Sequence, residues 1–216
     1  MLAAGVEKTG EILLTRLAGR IGRSDLGGLD LLDVGCAVRF TQTLINRSLA
    51  FKSYTGIDVS LPIIRWMKEN VEGKDERFRF FHWNVHNAMY NRQSPPMSTC
   101  EALPGEGSYD VVMGFSLFTH LAPEDASQML KLMRKVVRPH GFLFFSAFCS
   151  ESLDTFEDRV PGKPLLNAYY NHSYLERLIK AERWEVVSYE EPEPYIQHSF
   201  LCRPAQSPVL DQDRQV

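Results

Sequence analysis

The sequence has little of what a disulfide-stapled, zinc-binding or membrane-spanning protein needs. It has only four cysteines, and their wide spacing excludes a zinc ribbon and a compact disulfide framework. The longest apolar run, residues 141–149, is too short to cross a bilayer. Glu7 and Lys8 interrupt the region where a secretory signal would be apolar. We therefore expect reduced thiols in a soluble, cytoplasmic protein with no membrane partner.

An excess of positive charge is also missing. The sequence has 24 Lys and Arg against 27 Asp and Glu, which gives a formal net charge of −3. Such a balance does not attract a phosphate backbone, so it argues against nucleic acid as a partner. A length of 216 residues with 44% hydrophobic residues indicates one globular domain, residues 1–204, as a monomer or homodimer. The polar end, residues 205–216, is predicted to be a mobile tail.

Short apolar segments alternate with segments of helical spacing along the chain. Strands are predicted at residues 29–35, 54–58, 78–84, 109–116, 142–148, 184–190 and 198–202. Helices are predicted at 7–21, 40–49, 61–71, 123–138 and 173–182, the last with a capping box formed by Ser173 and Glu176. This order predicts a doubly wound α/β fold whose mostly parallel, seven-stranded sheet ends in an antiparallel hairpin.

Ligands of such folds bind at the carboxyl ends of the strands, near the point where the strand order reverses. The residues just past the first four strands are 33–36, 58–60, 84–86 and 116–121. Asp58 follows the second strand, where a carboxylate can accept both hydroxyl protons of a ribose. The pattern therefore predicts a site for a nucleoside cofactor.

Four segments resemble the class I S-adenosylmethionine-dependent methyltransferases, over about residues 29–202. LLDVGC resembles the first motif of this family and YTGIDVS its acidic second motif. SYDVVMGFSLFTHL resembles the fourth strand with its loop, and MRKVVRPHGFLFFSAF the helix and strand that follow. The resemblance implies a Rossmann-like fold, S-adenosylmethionine as cofactor and S-adenosylhomocysteine as product.

The resemblance also implies which residues bind the cofactor. Asp33, Gly35 and Cys36 would lie beside its methionine part, and Asp58 would hold the ribose hydroxyls. An Asp is commoner at position 84, but the carbonyl oxygen of Asn84 can accept the same adenine amine proton. The remaining residues expected in the cofactor site are Ala37, Val59, Val85 and Ser116, with Val59 beside the adenine.

The first motif departs from the family, which has three alternating glycines after the acid. Only Gly35 is present, so either Ala37 and Arg39 replace the later glycines or one residue is deleted. We favour the deletion, because residues 39–41, Arg-Phe-Thr, match a family sequence that follows the glycines. The missing Gly-x-Gly-x-x-Gly argues against a nicotinamide dehydrogenase. A noncatalytic methyltransferase-like module, whose altered turn no longer binds the cofactor, stays an alternative.

His120 is the candidate general base, since it follows the fourth strand and imidazole titrates near neutral pH. The structural alternative is that its ring bonds backbone groups between strand and helix. His86 and His198 are weaker candidates, and no metal site is predicted. We expect O-methylation of a small polar acceptor, such as a sugar, a phenol or a natural-product type molecule, with N-methylation as the alternative. The irregular segments 87–108 and 150–171 would shape its pocket.

Overall fold

The computed structural model describes residues 2–87, 90–104, 108–192 and 197–206, with side chains from residue 5 onwards. Of the predicted tail, only residues 205 and 206 lie within the described residues. The helices of these ranges are α1 (Leu2–Arg20), α2 (Arg39–Asn46), α3 (Leu61–Met67), α4 (Pro123–Val136) and α5 (His172–Ala181). Their strands are β1 (Asp30–Val34), β2 (Ser53–Asp58), β3 (Phe78–His82), β4 (Tyr109–Gly114), β5 (Val137–Cys149), β6 (Phe156–Asp158), β7 (Ala168–Tyr170), β8 (Trp184–Glu190) and β9 (His198–Pro204).

The strands form one mostly parallel sheet in which β3, β2, β1, β4 and β5 lie side by side in that order. The strand order reverses between β1 and β4, as it does in doubly wound sheets. β9 pairs antiparallel with both β5 and β8, which closes the sheet with the predicted hairpin. The predicted α/β fold class is therefore confirmed.

Two short strands, β6 and β7, were not predicted from the sequence. They pair with each other antiparallel, and β7 also runs parallel to the end of β5, where Phe148 pairs with Tyr169. Each has three residues, which is too short for an alternating apolar pattern to show. The segment expected to be irregular thus adds two strands to the seven predicted ones within the described residues.

Several helix boundaries differ from the sequence prediction, and two of the differences have a clear structural cause. The cap of α5 is Asn171, whose Oδ1 accepts the Tyr174 N–H at 3.0 Å, so the capping box at Ser173 was wrong. α4 ends at Val136 and the chain enters β5 at once, which places Gly141 inside a strand. A Cβ at Gly141 would lie 2.8 Å from the Asp110 carbonyl oxygen, so glycine is required there by the close approach of the β4 backbone.

The apolar side chains of the sheet alternate between two core layers. Leu31 of β1 packs in a cluster with residues of α1, α2 and α3, whereas Leu32 and Val34 pack in a cluster with residues of α4 and α5. This alternation follows from the two-residue period of a strand. Within the described ranges, every helix is too short or too polar to cross a membrane.

Arg20, at the end of α1, fastens this helix to the terminal hairpin. Its side chain is 9% exposed, and its guanidinium donates to Ser188 Oγ and carbonyl oxygen and to Ser199 Oγ at 2.8–3.0 Å. It also lies 3.4 Å from a Glu190 carboxylate oxygen. These contacts join the first helix to strands about 170 residues later in the chain.

We expect Arg20→Met to lower the free energy of unfolding by about 2–4 kcal/mol, because it removes a buried guanidinium and leaves its half-buried partners Ser188 and Ser199 without their donor. Urea denaturation of the purified protein measures this value. The control is Arg16→Met: Arg16 is 39% exposed and 3.9 Å from Glu190, and its loss is expected to lower stability by less than about 1 kcal/mol. Equal effects of the two changes would contradict the role given to Arg20.

Asp30 joins the amino ends of the parallel strands. Its carboxylate accepts from Ser53 Oγ at 2.7 Å, Lys52 Nζ at 3.0 Å and the Arg138 guanidinium at 2.7 Å. Arg138 also binds Asp110 at the start of β4. Partial burial acts to raise the pKa of Asp30, and the bonds from Ser53, Arg138 and Lys52 outweigh it and lower the pKa to about 2.

The lowered pKa predicts a pH-dependent contribution to stability. An acid with a lower pKa when folded stabilises above its ordinary pKa of 3.8, and this stabilisation is lost as the pH falls towards 2. We expect Asp30→Asn to be less stable than the parent by about 2 kcal/mol at neutral pH, with the difference shrinking below about pH 4. Urea denaturation at several pH values tests this, and a difference that stays constant with pH would contradict it.

Candidate functional site

A cavity of about 470 Å³ opens at the carboxyl ends of β1, β2 and β4, beside the reversal of strand order. Most of the predicted site residues lie in its wall, although they come from four separate parts of the chain. These residues are Asp33, Gly35, Cys36, Ala37, Asp58, Val59, Val85, Ser116 and His120. The volume is typical of a pocket that binds one small molecule.

Asp58, at the end of β2, organises the cofactor side of the cavity. One of its carboxylate oxygens accepts the Ala37 N–H at 3.0 Å, and the other accepts the Ser60 N–H at 2.8 Å. A carboxylate offers about four lone-pair sites, so each oxygen can still accept one more hydrogen bond. The half-buried Asp58 can therefore hold two neighbouring hydroxyl groups of a ligand while it fixes the loop.

The altered glycine turn after β1 still closes tightly over the end of β2. The N–H groups of Gly35 and Cys36 both donate to the Ile57 carbonyl oxygen, at 2.8 and 3.1 Å. Gly35 has a φ of 76° and Ala37 a φ of 39°, so Ala37 adopts a left-handed conformation that favours glycine. This conformation costs about 1–2 kcal/mol for a residue with a Cβ. The bond from Ala37 to Asp58 offsets part of that cost.

Cys36 is a packing residue beneath this turn. It is 2% exposed, and a Cβ built on Gly56 would lie 2.9 Å from the Cys36 sulfur. Gly56 therefore provides the space that the thiol fills. Burial, together with the nearby charges of Asp33 and Asp58, raises the pKa of Cys36 well above its ordinary value. A raised pKa favours the protonated thiol, which suits a packing role.

Asp33 is a buried carboxyl group at the base of the cavity. It is 2% exposed and accepts the hydroxyl proton of Tyr54 at 2.6 Å. Burial raises the pKa of Asp33 to about 7, although the Tyr54 bond acts to lower it. A cationic group bound nearby would favour the ionised carboxylate. The base of the cavity thus suits a ligand that carries positive charge.

Tyr54, the hydrogen-bond partner of Asp33, is one residue that the sequence analysis missed. It is fully buried in β2, and its hydroxyl lies on the same face of the sheet as Asp33. The β1–β2 register pairs Asp33 with Gly56, two residues beyond Tyr54. Because Gly56 has no side chain, the tyrosine hydroxyl can reach along that face to Asp33. Only the strand register reveals this pair, so the sequence carries no signal for it.

His120 ends a short 3-10 helix, Phe118–His120, and lines the cavity. Its Nδ1 lies 3.0 Å from the carbonyl oxygen of Leu165, an arrangement in which Nδ1 carries the proton and donates it. The neutral ring then has its lone pair on Nε2, which no described residue bonds. His120 thus makes the backbone contact of the structural alternative and also lines the cavity.

Ser116 and Asn84 take different positions relative to the cavity. Ser116 lines it with a φ of 59°, and its N–H donates to Ser146 Oγ at 2.7 Å. Asn84 is exposed and does not line the cavity; its Oδ1 accepts from Ser94 Oγ at 2.6 Å. The prediction that Asn84 contacts the adenine is therefore not supported. Its neighbours Trp83 and Val85 line the cavity instead, and the Val85 N–H donates to the Trp83 carbonyl oxygen at 2.9 Å in a tight turn centred on the exposed Asn84.

The two weaker histidine candidates, His86 and His198, lie in different places relative to the cavity. His86 lines the cavity, with Nδ1 3.1 Å from the Arg92 carbonyl oxygen. His198 lies outside it, where its Nδ1 accepts the Cys149 N–H at 3.2 Å. All four cysteines are free thiols. Among the described residues, no three His, Cys, Asp or Glu side chains converge as a metal site would require.

Solved structures of methyltransferases share this fold. Magnesium protoporphyrin IX methyltransferase from Synechocystis PCC 6803 with bound SAM has a TM-score of 0.60 and 13% identity, over 94% of this chain and 81% of that one. The 1,6-didemethyltoxoflavin-N1-methyltransferase of Burkholderia thailandensis has a TM-score of 0.64 and 18% identity, over 93% of this chain and 79% of that one. The CcbJ methyltransferase of Streptomyces caelestis has a TM-score of 0.61 and 12% identity, over 93% of this chain and 90% of that one.

A family model described as a methyltransferase domain matches residues 32–143. This range is more than half of the 216 residues, and it includes Asp33, the turn at Ala37, Asp58 and His120. The chain therefore belongs to the methyltransferase domain family, and its resemblance to the class I S-adenosylmethionine-dependent methyltransferases is confirmed.

Proposed function

We propose that this protein transfers a methyl group from S-adenosylmethionine to a hydroxyl group of a small polar molecule. The observation that carries the proposal is that one cavity contains both the Asp58 carboxylate and the His120 imidazole. The first suits the ribose of a nucleoside, and the second suits a hydroxyl that must lose a proton. The cavity, of about 470 Å³, has the size of a small-molecule site, which suits acceptors such as sugars and phenols.

The residues present fit S-adenosylmethionine. Asp58 has free acceptor capacity for two hydroxyl protons, and the apolar Val59, Ile63 and Val85 supply a wall for a flat ring. Asp33 offers a buried carboxyl group for a positively charged part of the ligand. The backbone of the turn at Gly35 and Ala37 still reaches Asp58, whose carboxylate accepts the Ala37 N–H. This last point favours a binding protein over a module whose turn no longer holds a cofactor.

S-adenosylmethionine supplies an activated methyl group on a sulfonium when it is bound. The role of the chain is to position the acceptor and to remove its proton. His120 Nε2 has a lone pair at the cavity wall, so it can accept the hydroxyl proton as the oxygen becomes a nucleophile. The neighbouring apolar side chains Leu117, Leu121 and Met129 limit the access of water.

We expect Asp58→Ala to abolish the stabilisation that S-adenosylhomocysteine gives the parent protein. A ligand at 100 times its Kd stabilises by about 2.7 kcal/mol, which raises Tm by roughly 5–10 °C in a domain of this size. Thermal denaturation with S-adenosylhomocysteine and, separately, with NAD measures the shift. Glu69→Ala is the matched control, since Glu69 is exposed and lies outside the cavity. A full shift in Asp58→Ala would contradict the role of Asp58.

We expect His120→Asn to lower kcat for a hydroxyl acceptor found by screening by about 10²–10⁴-fold, because the acceptor proton loses its base. Formation of S-adenosylhomocysteine measures turnover, and the thermal shift with that product should stay unchanged. His86→Asn is the control, since His86 lines the same cavity and should affect turnover much less. Unchanged turnover in His120→Asn would show that another group, or solvent, takes the proton.

A further inference from the structure

The β6–β7 hairpin is docked onto the loop that follows β4. The buried Tyr170 hydroxyl of β7 donates to the Leu121 carbonyl oxygen at 2.6 Å. One residue earlier in that loop, His120 Nδ1 bonds the carbonyl oxygen of Leu165, which lies in the connection between β6 and β7. The connection between the two unpredicted strands therefore bonds the residue that carries the acid–base chemistry of the proposed function.

Leu165 makes this bond from an unfavourable backbone conformation. Its φ is 56°, in the left-handed region that side chains with a Cβ rarely adopt. Such a conformation persists only when neighbouring contacts hold it. One such contact is the turn bond from the Leu166 N–H to the Lys163 carbonyl oxygen, at 3.1 Å. The other is the Leu165 N–H itself, which donates to a carboxylate oxygen of Asp158 at 2.8 Å.

We propose that Asp158 is a positioning residue for His120. By accepting the Leu165 N–H, Asp158 holds Leu165 in the left-handed conformation that directs its carbonyl oxygen to His120 Nδ1. The carbonyl fixes the proton on Nδ1, and the lone pair of the ring is thereby fixed on Nε2. The catalytic part of this proposal rests on the proposed function, whereas the structural part is independent of it.

The neighbouring residue on the same strand shows that Asp158 has a distinct role. Glu157 is also an exposed acid of β6, but its carboxylate binds the side chain of Arg159 at 2.6 Å. Asp158 pairs with Ala168 across the hairpin, and its carboxylate bonds backbone seven residues away. Two acids thus lie side by side on β6: Asp158 bonds Leu165, the partner of His120, and Glu157 does not.

The position of the proton on the His120 ring can be measured by ¹⁵N NMR of the histidine side chains. The spectra would be recorded with saturating S-adenosylhomocysteine at about pH 8.5, above the usual titration range of histidine. His120→Asn assigns the signal among the six histidines of the chain. The variants compared are Asp158→Ala, Asp158→Asn, which keeps an oxygen acceptor, and Glu157→Ala as the matched control.

We expect the parent, Asp158→Asn and Glu157→Ala to carry the proton on Nδ1. In Asp158→Ala the fraction with the proton on Nε2 should rise roughly fivefold, as the loss of one hydrogen bond predicts. The proposal is overturned if Asp158→Ala leaves the ring unchanged, or if Asp158→Asn or Glu157→Ala changes it equally. It is also overturned if the parent carries the proton on Nε2.

A kinetic measurement connects this result to catalysis. With a hydroxyl acceptor found by screening, Asp158→Ala should lower kcat roughly fivefold, while the KM for S-adenosylmethionine stays the same. A changed KM with unchanged kcat would overturn the positioning role. If the parent shows no thermal shift with S-adenosylhomocysteine, the proposed function fails, and the NMR comparison without ligand still decides whether Asp158 sets the His120 proton.

Discussion

The site depends on the bonds between the Asp58 carboxylate and two backbone N–H groups. One bond holds Ala37 in the turn after β1, and the other holds Ser60 at the start of α3. A turn that has lost its later glycines carries conformational strain at Ala37, so it needs a partner that fixes it. A charged acceptor is a strong partner for a backbone N–H. The same carboxylate lines the cavity, so one side chain both fixes the two loops and is placed to bind a ligand.

The two ends of the parallel sheet differ: ion pairs join the strands at the amino ends, and the cavity lies at the carboxyl ends. At the amino ends, Asp30, Asp110 and Arg138 form an ion-pair group that joins neighbouring strands, and the pKa of Asp30 is lowered. At the carboxyl ends, burial of Asp33 outweighs the Tyr54 hydrogen bond and the charge of Arg39, and raises the pKa of Asp33 to about 7. Two acids three residues apart on β1 thus differ because one is paired and the other is desolvated. Perturbed groups of the second kind are typical of functional sites.

The cavity also has two halves that different parts of the fold build. The loops after β1 and β2 provide Gly35, Ala37 and Asp58, which suit a nucleoside cofactor. The loop after β4 provides His120, and the hairpin of β6 and β7 supports it through Leu165 and Tyr170. The range that the family model matches, residues 32–143, includes both Asp58 and His120, whereas β6 and β7 lie beyond it and are too short to be predicted. Segments that lie over a rigid sheet can differ between proteins while the sheet stays the same.

The sequence by itself determined the order of strands and helices, the terminal hairpin and the positions of Asp33, Asp58 and His120 at strand ends. These features follow from apolar periodicity and from the rule that a doubly wound sheet binds ligands at its carboxyl edge. Tertiary structure decided which neighbouring side chains face the cavity: Val85 does and Asn84 does not. It also decided the partners of Asp33 and His120, namely Tyr54 through the strand register and the Leu165 carbonyl, 45 residues beyond the histidine. Contacts of this kind depend on how distant segments pack, and local patterns carry no information about them.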